Sequence, residues 1–181
     1  YYTNRTTNAI VSGGTLKITA LKESFSGSNY TSARLLSKGK FSFKYGKVDI
    51  SAKLPAGGGT WPALWMLGDN IGSAGWPACG EIDIMEHIGN SLNKIYGTLH
   101  YPGRSGGNAD GATTMINNAT TAFHKYTLEW TDVSIKIYVD DVVNALKMSL
   151  TFENSNIFNL STGVKTTIKE LIDTIIKVLG K

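Results

Sequence analysis

Up to about residue 140, short stretches in which apolar and polar residues alternate are cut repeatedly by turns rich in Gly, Asn and Asp. A period of two places successive side chains on opposite faces of a strand, so each stretch can bury one face and wet the other. Residues 15–21 follow a Gly13-Gly14 turn and alternate in this way, and residues 40–54 repeat the pattern with Phe41, Phe43 and Tyr45 on one side. Further strands are predicted over 61–67, 80–87, 95–101, 124–130 and 133–139, with turns such as Gly57-Gly58-Gly59 and Asp69-Asn70-Ile71-Gly72 between them. At this spacing the expected class is all-β, an antiparallel β-sandwich. Twenty glycines against four prolines, with many Thr, Ser and Tyr, agree with a turn-rich β protein and not with a helical bundle.

A length of 181 residues fits one domain and is tight for a large sandwich. The net charge of +4 is spread along the chain without a basic run, so no nucleic-acid partner is expected. Cys79 is the only cysteine, and no Cys/His cluster has zinc spacing; neither an intramolecular disulfide, a metal nor a cofactor is predicted. No apolar stretch approaches the ~20 residues that span a bilayer, so no membrane partner is expected. The chain starts at Tyr1 without Met or a signal-like segment and reads as mature or trimmed material. The Asn-x-Ser/Thr triplets at Asn4, Asn29, Asn118 and Asn159 carry no weight in an Asn/Thr-rich sequence.

After Asp140 glycine becomes rare, and Ile168, Leu171, Ile172, Ile175, Ile176 and Leu179 recur at helical spacing. The expectation is an amphipathic helix over 166–179, with Thr166 or Thr167 as N-cap and Glu170 in the capping-box position. Asp140 is therefore an expected boundary between a region 1–139 and a helix-containing tail 140–181.

Inside the stretch 80–87, Glu81-Ile82-Asp83-Ile84-Met85-Glu86 places three acids in six positions of an otherwise apolar run. Unpaired charge is costly in a half-buried strand, so acids there call for a use. A regular strand sends Glu81 and Asp83 to one face and Glu86 to the other. A helix separates Glu81 from Asp83 instead, at 100° per residue. A two-against-one β-bulge near Ile84 and Met85 adds one residue to the count and turns Glu86 back beside Glu81 and Asp83. Two carboxyl groups ~5 to 5.5 Å apart are the arrangement with which retaining glycosidases work. The plainer alternatives are solvent-facing acids or a cation site. Calcium loops, however, carry Gly, Asn and Asp in irregular backbone and not Ile-x-Ile-Met between their ligands.

Trp61, Trp65 and Trp76 all fall within twenty residues before Glu81, and Tyr101 follows it. Aromatic faces stacked on sugar rings would build a carbohydrate cleft, whereas the alternative is ordinary core packing. Trp61 and Trp65 are four apart and share a face if both lie on a strand. His100 is a candidate partner of a carboxylate or a sugar hydroxyl. His87 is excluded because it should face away from Glu86. Arg34 is a candidate for orienting an acid or a sugar, with a surface ion pair as its alternative.

Over about residues 1–139 the chain resembles bacterial laminarinase-like enzymes of glycoside hydrolase family 16. The matching words are Tyr2-Thr3-Asn4-Arg5, Thr31-Ser32-Ala33-Arg34-Leu35, Gly59-Thr60-Trp61-Pro62-Ala63-Leu64-Trp65-Met66-Leu67, Trp76-Pro77 and the acidic stretch, which has the extra Met of the bulged branch. The resemblance implies a β jelly roll whose concave sheet binds glucan, here incomplete at both ends, with no calcium site expected. It implies Glu81 as nucleophile, Asp83 as its assisting acid and Glu86 as general acid/base. Arg34, Trp61, Trp65, Trp76 and His100 become substrate-binding residues by the same resemblance. The implied activity is retaining, endo-acting hydrolysis of β-1,3-glucan or mixed-linkage β-1,3-1,4-glucan, in a secreted protein. A glucan-binding fragment without catalysis, or a galactan hydrolase of the same family, are the alternatives. Residues 138–181 resemble the C-terminal part of nucleotide-sugar epimerases and dehydratases, without the Gly-rich loop or Tyr-x-x-x-Lys pair that epimerase chemistry needs.

Overall fold

The computed structural model describes residues 1–139, and the fold below is that of those residues. The tail helix over 166–179, its capping residues and nearly all of the epimerase-like segment lie outside them. Eleven strands follow in chain order: β1 Ala9–Ser12, β2 Thr15–Ile18, β3 Leu21–Phe25, β4 Ser28–Thr31, β5 Gly46–Ala52, β6 Ala63–Leu67, β7 Glu81–His87, β8 Lys94–His100, β9 Asp110–Met115, β10 His124–Trp130 and β11 Ile135–Val139. One helical turn, α1 Ile71–Ala74, lies between β6 and β7, and a 3-10 turn at Gly106–Asn108 lies between β8 and β9. Among these residues no helix is long and apolar enough to cross a membrane.

Every strand pair is antiparallel. A four-stranded sheet runs β6-β7-β8-β9 and a three-stranded sheet runs β11-β10-β5, with the hairpins β1-β2 and β3-β4 beside them. The core forms where the inner faces of the two larger sheets meet: Ile84, Met85 and Ile95 from one, Tyr126 and Leu128 from the other. Val48, Ile50, Ile82, Ile135 and Ile137 pack around them, each from the apolar phase of its strand. The outer face of the smaller sheet is polar. There Thr127 Oγ1 donates to Asp49 Oδ1 at 2.6 Å, and Lys47 Nζ stands 3.7 Å from Glu129.

The alternating stretch expected over 15–21 is two strands. β2 pairs back on β1 across Gly13-Gly14, whose φ values of 59° and 75° suit a two-residue hairpin turn, while β3 starts a second hairpin at Leu21. The stretch expected over 40–54 is a strand only from Gly46, after the aromatic cluster of Phe41, Phe43, Tyr45 and Trp130. Tyr45 has φ 64° and Gly46 φ 144°, values that break a regular strand at that point. The stretch over 61–67 is a strand from Ala63, so Trp61 precedes it.

Candidate active site

The acidic stretch is β7, and its burial pattern shows the bulge directly. Ile84 and Met85 are consecutive and both buried, at 2% and 1% exposure, so two neighbouring side chains enter the core. On the β8 side Asp83 pairs with Thr98 and Glu86 with Tyr96, so Ile84 and Met85 together oppose Gly97. On the β6 side Leu64 pairs with Met85 and Trp65 with Asp83. Glu81, Asp83 and Glu86 therefore share the face turned away from the core, as the bulged reading of the sequence requires. Gly97 is what the extra core side chain needs opposite it, since a Cβ there would meet Ile137 Cδ1 at 3.3 Å across the sandwich.

Pairing across the sheet carries the face outward. Trp65 on β6, and Tyr96, Thr98 and His100 on β8, are partners or same-phase neighbours of the three acids and flank them. Two further tryptophans reach in from outside the strands. Trp61 Nε1 donates to Glu86 Oε1 at 2.9 Å, and Trp76 Nε1 donates to Glu81 Oε2 at 2.6 Å. Both indoles stay well exposed, Trp61 at 66% and Trp76 at 49%, so their ring faces are open while their N–H groups hold the outer acids. Trp61 acts from the loop ahead of β6 and does not share a strand with Trp65; the common wall arises from the loop's path. That loop is held by Gly89 N–H on Thr60 O at 2.9 Å and by Gly59 N–H on Asn90 Oδ1, also at 2.9 Å.

Asp83 sits between the outer acids and is 2% exposed. Burial, the negative charges of Glu86 and Glu81, and a hydrogen bond with Glu81 push its carboxyl up to about 8, so it keeps a proton at neutral pH. His100 Nε2 lies 3.1 Å from Asp83 Oδ2, close enough to bond but off the ideal line; Oδ2 has no aligned partner among the described residues. His100 in turn packs against Trp76, with ring centroids 5.6 Å apart, and its Nδ1 accepts the Gly106 N–H at 3.1 Å. The arrangement is one protonated carboxyl between two others, each outer acid fixed by an indole N–H. Two carboxyls flanking a third on one open face are groups of the type that acid/base chemistry at sugar oxygens uses.

The Asp83 proton has a consequence for stability. An unfolded aspartate ionises near 3.8, whereas the folded carboxyl keeps its proton to about 8, so its contribution is fully favourable below 3.8 and is lost as pH rises towards 8. Asp83→Asn, isosteric and always neutral, is expected to lose less melting temperature than the parent between pH 5 and 8. Thermal melts across that range check it, and parallel curves for the two proteins would show that Asp83 ionises normally.

Arg34 is exposed, and its guanidinium lies 5.5 Å from the Tyr2 ring centroid; among the described residues it makes no hydrogen bond or ion pair with the three acids. His87 points into the core at 0% exposure, and burial lowers its pKa, in agreement with its exclusion from the site. Tyr101 gives its hydroxyl to Asp110 beyond the end of β8. Tyr96, Thr98 and Gly106 did not emerge from the sequence. Thr98 carried a usable signal, since it lies two residues before His100 and so shares its face. Among the described residues no group of three or more His, Cys, Asp and Glu could hold a metal ion.

The family description "Glycosyl hydrolases family 16" matches residues 1–163, a span that runs past the boundary expected at Asp140. The chain belongs to glycosyl hydrolases family 16. Among family relatives, a β-glucanase from Rhodothermus marinus is 48% identical over 146 residues, covering 78% of this chain and 51% of that protein. The solved structure of the laminarinase from Rhodothermus marinus superposes with a TM-score of 0.75 at 48% identity, covering 78% of this chain and 59% of that one. The laminarinase catalytic domain from Thermotoga maritima gives a TM-score of 0.73 at 49% identity, over 77% of this chain and 58% of the other. The two packed antiparallel sheets are thus those of the family 16 jelly roll, and the chain spans about half the length of the β-glucanase it matches.

Proposed function

We propose that this family 16 chain hydrolyses β-1,3-glucan, or mixed-linkage β-1,3-1,4-glucan, within the polymer and with retention of anomeric configuration. Glu81 attacks the anomeric carbon. Glu86 protonates the leaving glycosidic oxygen and then, as a base, activates the water that releases the product. Asp83 holds its proton towards Glu81, lending it a hydrogen bond that can be tuned as charge leaves the nucleophile. Trp61, Trp65 and Trp76 offer ring faces to glucosyl units, with His100 beside them and Arg34 contributing to glucan binding from the exposed segment after β4.

The observation that carries the reading is the bulge at Ile84-Met85, because it alone brings Glu86 to the face of Glu81 and Asp83. The similarity to a β-glucanase and to laminarinases supports a glucan substrate over a galactan. The test is laminarin digestion followed by proton NMR of the first products. Shortened internal fragments that appear initially as the β-anomer are expected. Initial α-anomer would overturn the assignment of Glu81 as nucleophile, and glucan binding with no new reducing ends would make this chain a binding module.

A further inference from the structure

Beyond β8 the chain makes a tight excursion before β9 begins. Tyr101 and Arg104 exchange backbone hydrogen bonds, both at 2.9 Å, around Pro102-Gly103, where Gly103 has φ 83°. The Arg104 guanidinium and the Tyr101 hydroxyl both bind the Asp110 carboxylate, the Arg104 Nε contact being 2.9 Å. The intervening residues, Ser105, Gly106, Gly107, Asn108 and Ala109, place no side chain in the core. What holds this excursion in place is therefore polar: the three-residue clasp, Asn108 Nδ2 on Gly103 O at 3.2 Å, and the backbone bonds of the 3-10 turn.

Among the described residues, the bond that leaves this excursion for the acidic face is Gly106 N–H to His100 Nδ1. A neutral imidazole has one donor and one acceptor nitrogen, so an Nδ1 that accepts must leave the proton on Nε2. Nε2 is the atom that faces Asp83 Oδ2. That oxygen is 3.1 Å away but off the N–H line, so a small turn of the ring makes it the acceptor and leaves the carboxyl proton for the other oxygen and for Glu81.

We propose that Tyr101, Arg104 and Asp110 are positioning residues that clasp the β8–β9 connection so that Gly106 fixes the His100 tautomer presenting Nε2–H to Asp83. The inference rests on the reading of Asp83 as the partner of Glu81, but its structural half is separable from catalysis. Loss of the clasp leaves Gly106 free to move off Nδ1, and His100 can then take either tautomer or turn its ring. A displacement of about 1 Å caused by a distant residue can cost about a hundredfold in rate, and the smaller shift of His100 expected here should cost roughly tenfold.

The tautomer can be read on the 181-residue chain labelled with 15N-histidine, from two-bond nitrogen–proton correlations at a pH where the ring is neutral, without substrate. The His100 signals are identified by their absence in a His100→Gln sample. The parent is expected to show a single His100 form with the proton on Nε2. Arg104→Met and Asp110→Asn are expected to show mixed tautomers, with His87 and His124 unchanged, and a roughly tenfold lower kcat on laminarin with KM held. An Nδ1–H form in the parent, or an undisturbed Nε2–H form in both variants, overturns the proposal. Should either variant unfold, Tyr101→Phe removes only the hydroxyl and is read the same way. A chain that cleaves no glucan would defeat the proposed function and still leave the tautomer result decisive here.

Discussion

Glu81→Gln is expected to take laminarin hydrolysis below detection while leaving the chain folded and able to retain glucan. The amide keeps the shape of the carboxylate and can still accept the Trp76 N–H, so the change is confined to charge and nucleophilicity. A neutral amide oxygen cannot form the glycosyl ester through which retention proceeds. Glu86→Gln should behave differently. It removes proton transfer, which is worth roughly 10²- to 10⁴-fold, and that deficit should shrink on an oligosaccharide with an aryl leaving group, which departs without a proton. Rates of both variants on laminarin and on the aryl substrate, with glucan retention measured by affinity electrophoresis, separate the two roles. Full activity in Glu81→Gln would remove Glu81 from the mechanism, and equal losses on both substrates would remove Glu86 as the acid.

Gly89→Ala is expected to be strongly damaging, although Gly89 touches no acid. A Cβ there would lie 1.9 Å from Gly57 O and 2.4 Å from Thr60 Oγ1, and the first is a backbone atom that cannot turn aside. The Gly57–Thr60 loop must lift, breaking the Gly89 N–H bond to Thr60 O and carrying Trp61 away from Glu86. Overpacking of this kind costs about 3 kcal/mol, or roughly 6 to 12 °C in Tm for a chain of this size. Gly72→Ala is the matched control, since no atom lies within 4 Å of its Cβ position and its φ is not positive; its Tm should change little. Calorimetry gives the first effect, and laminarin kcat with the Trp61 contribution to fluorescence gives the second. An unchanged Tm in Gly89→Ala would mean that the loop does not rest on Gly89 as described.

The strands most legible in the sequence were those with one face in the core. Residues 124–130 form β10 as expected because Tyr126 and Leu128 enter the core while Lys125 stays exposed and Thr127 is held at the outer face by Asp49. β9, with Asp-Gly-Ala-Thr-Thr-Met, is not legible in the sequence because it lies at the sheet edge with most residues exposed and lacks an apolar phase. β3 and β4 are hidden for a related reason. Their hairpin turns at Ser26-Gly27, where both residues have positive φ, and the polar contacts of Glu23 and Thr31 with Arg5 replace much of the usual apolar alternation. The nearness of Trp61 to the acids was legible but not its route, because a loop's direction depends on the residues it rests on, here Gly89 and Asn90.

The order of residues by itself determined that Glu81, Asp83 and Glu86 could share a face only through a bulge, since a period of two cannot otherwise bring positions 83 and 86 together. It also determined the chemistry available there, three carboxyls among tryptophans. Only the tertiary structure decided which acid keeps its proton, because that depends on how deeply the outer sheet face buries Asp83 and on the charges of Glu86 and Glu81 beside it. Only the tertiary structure, too, brought the Gly106 N–H to His100, a contact made by backbone that no side-chain pattern records.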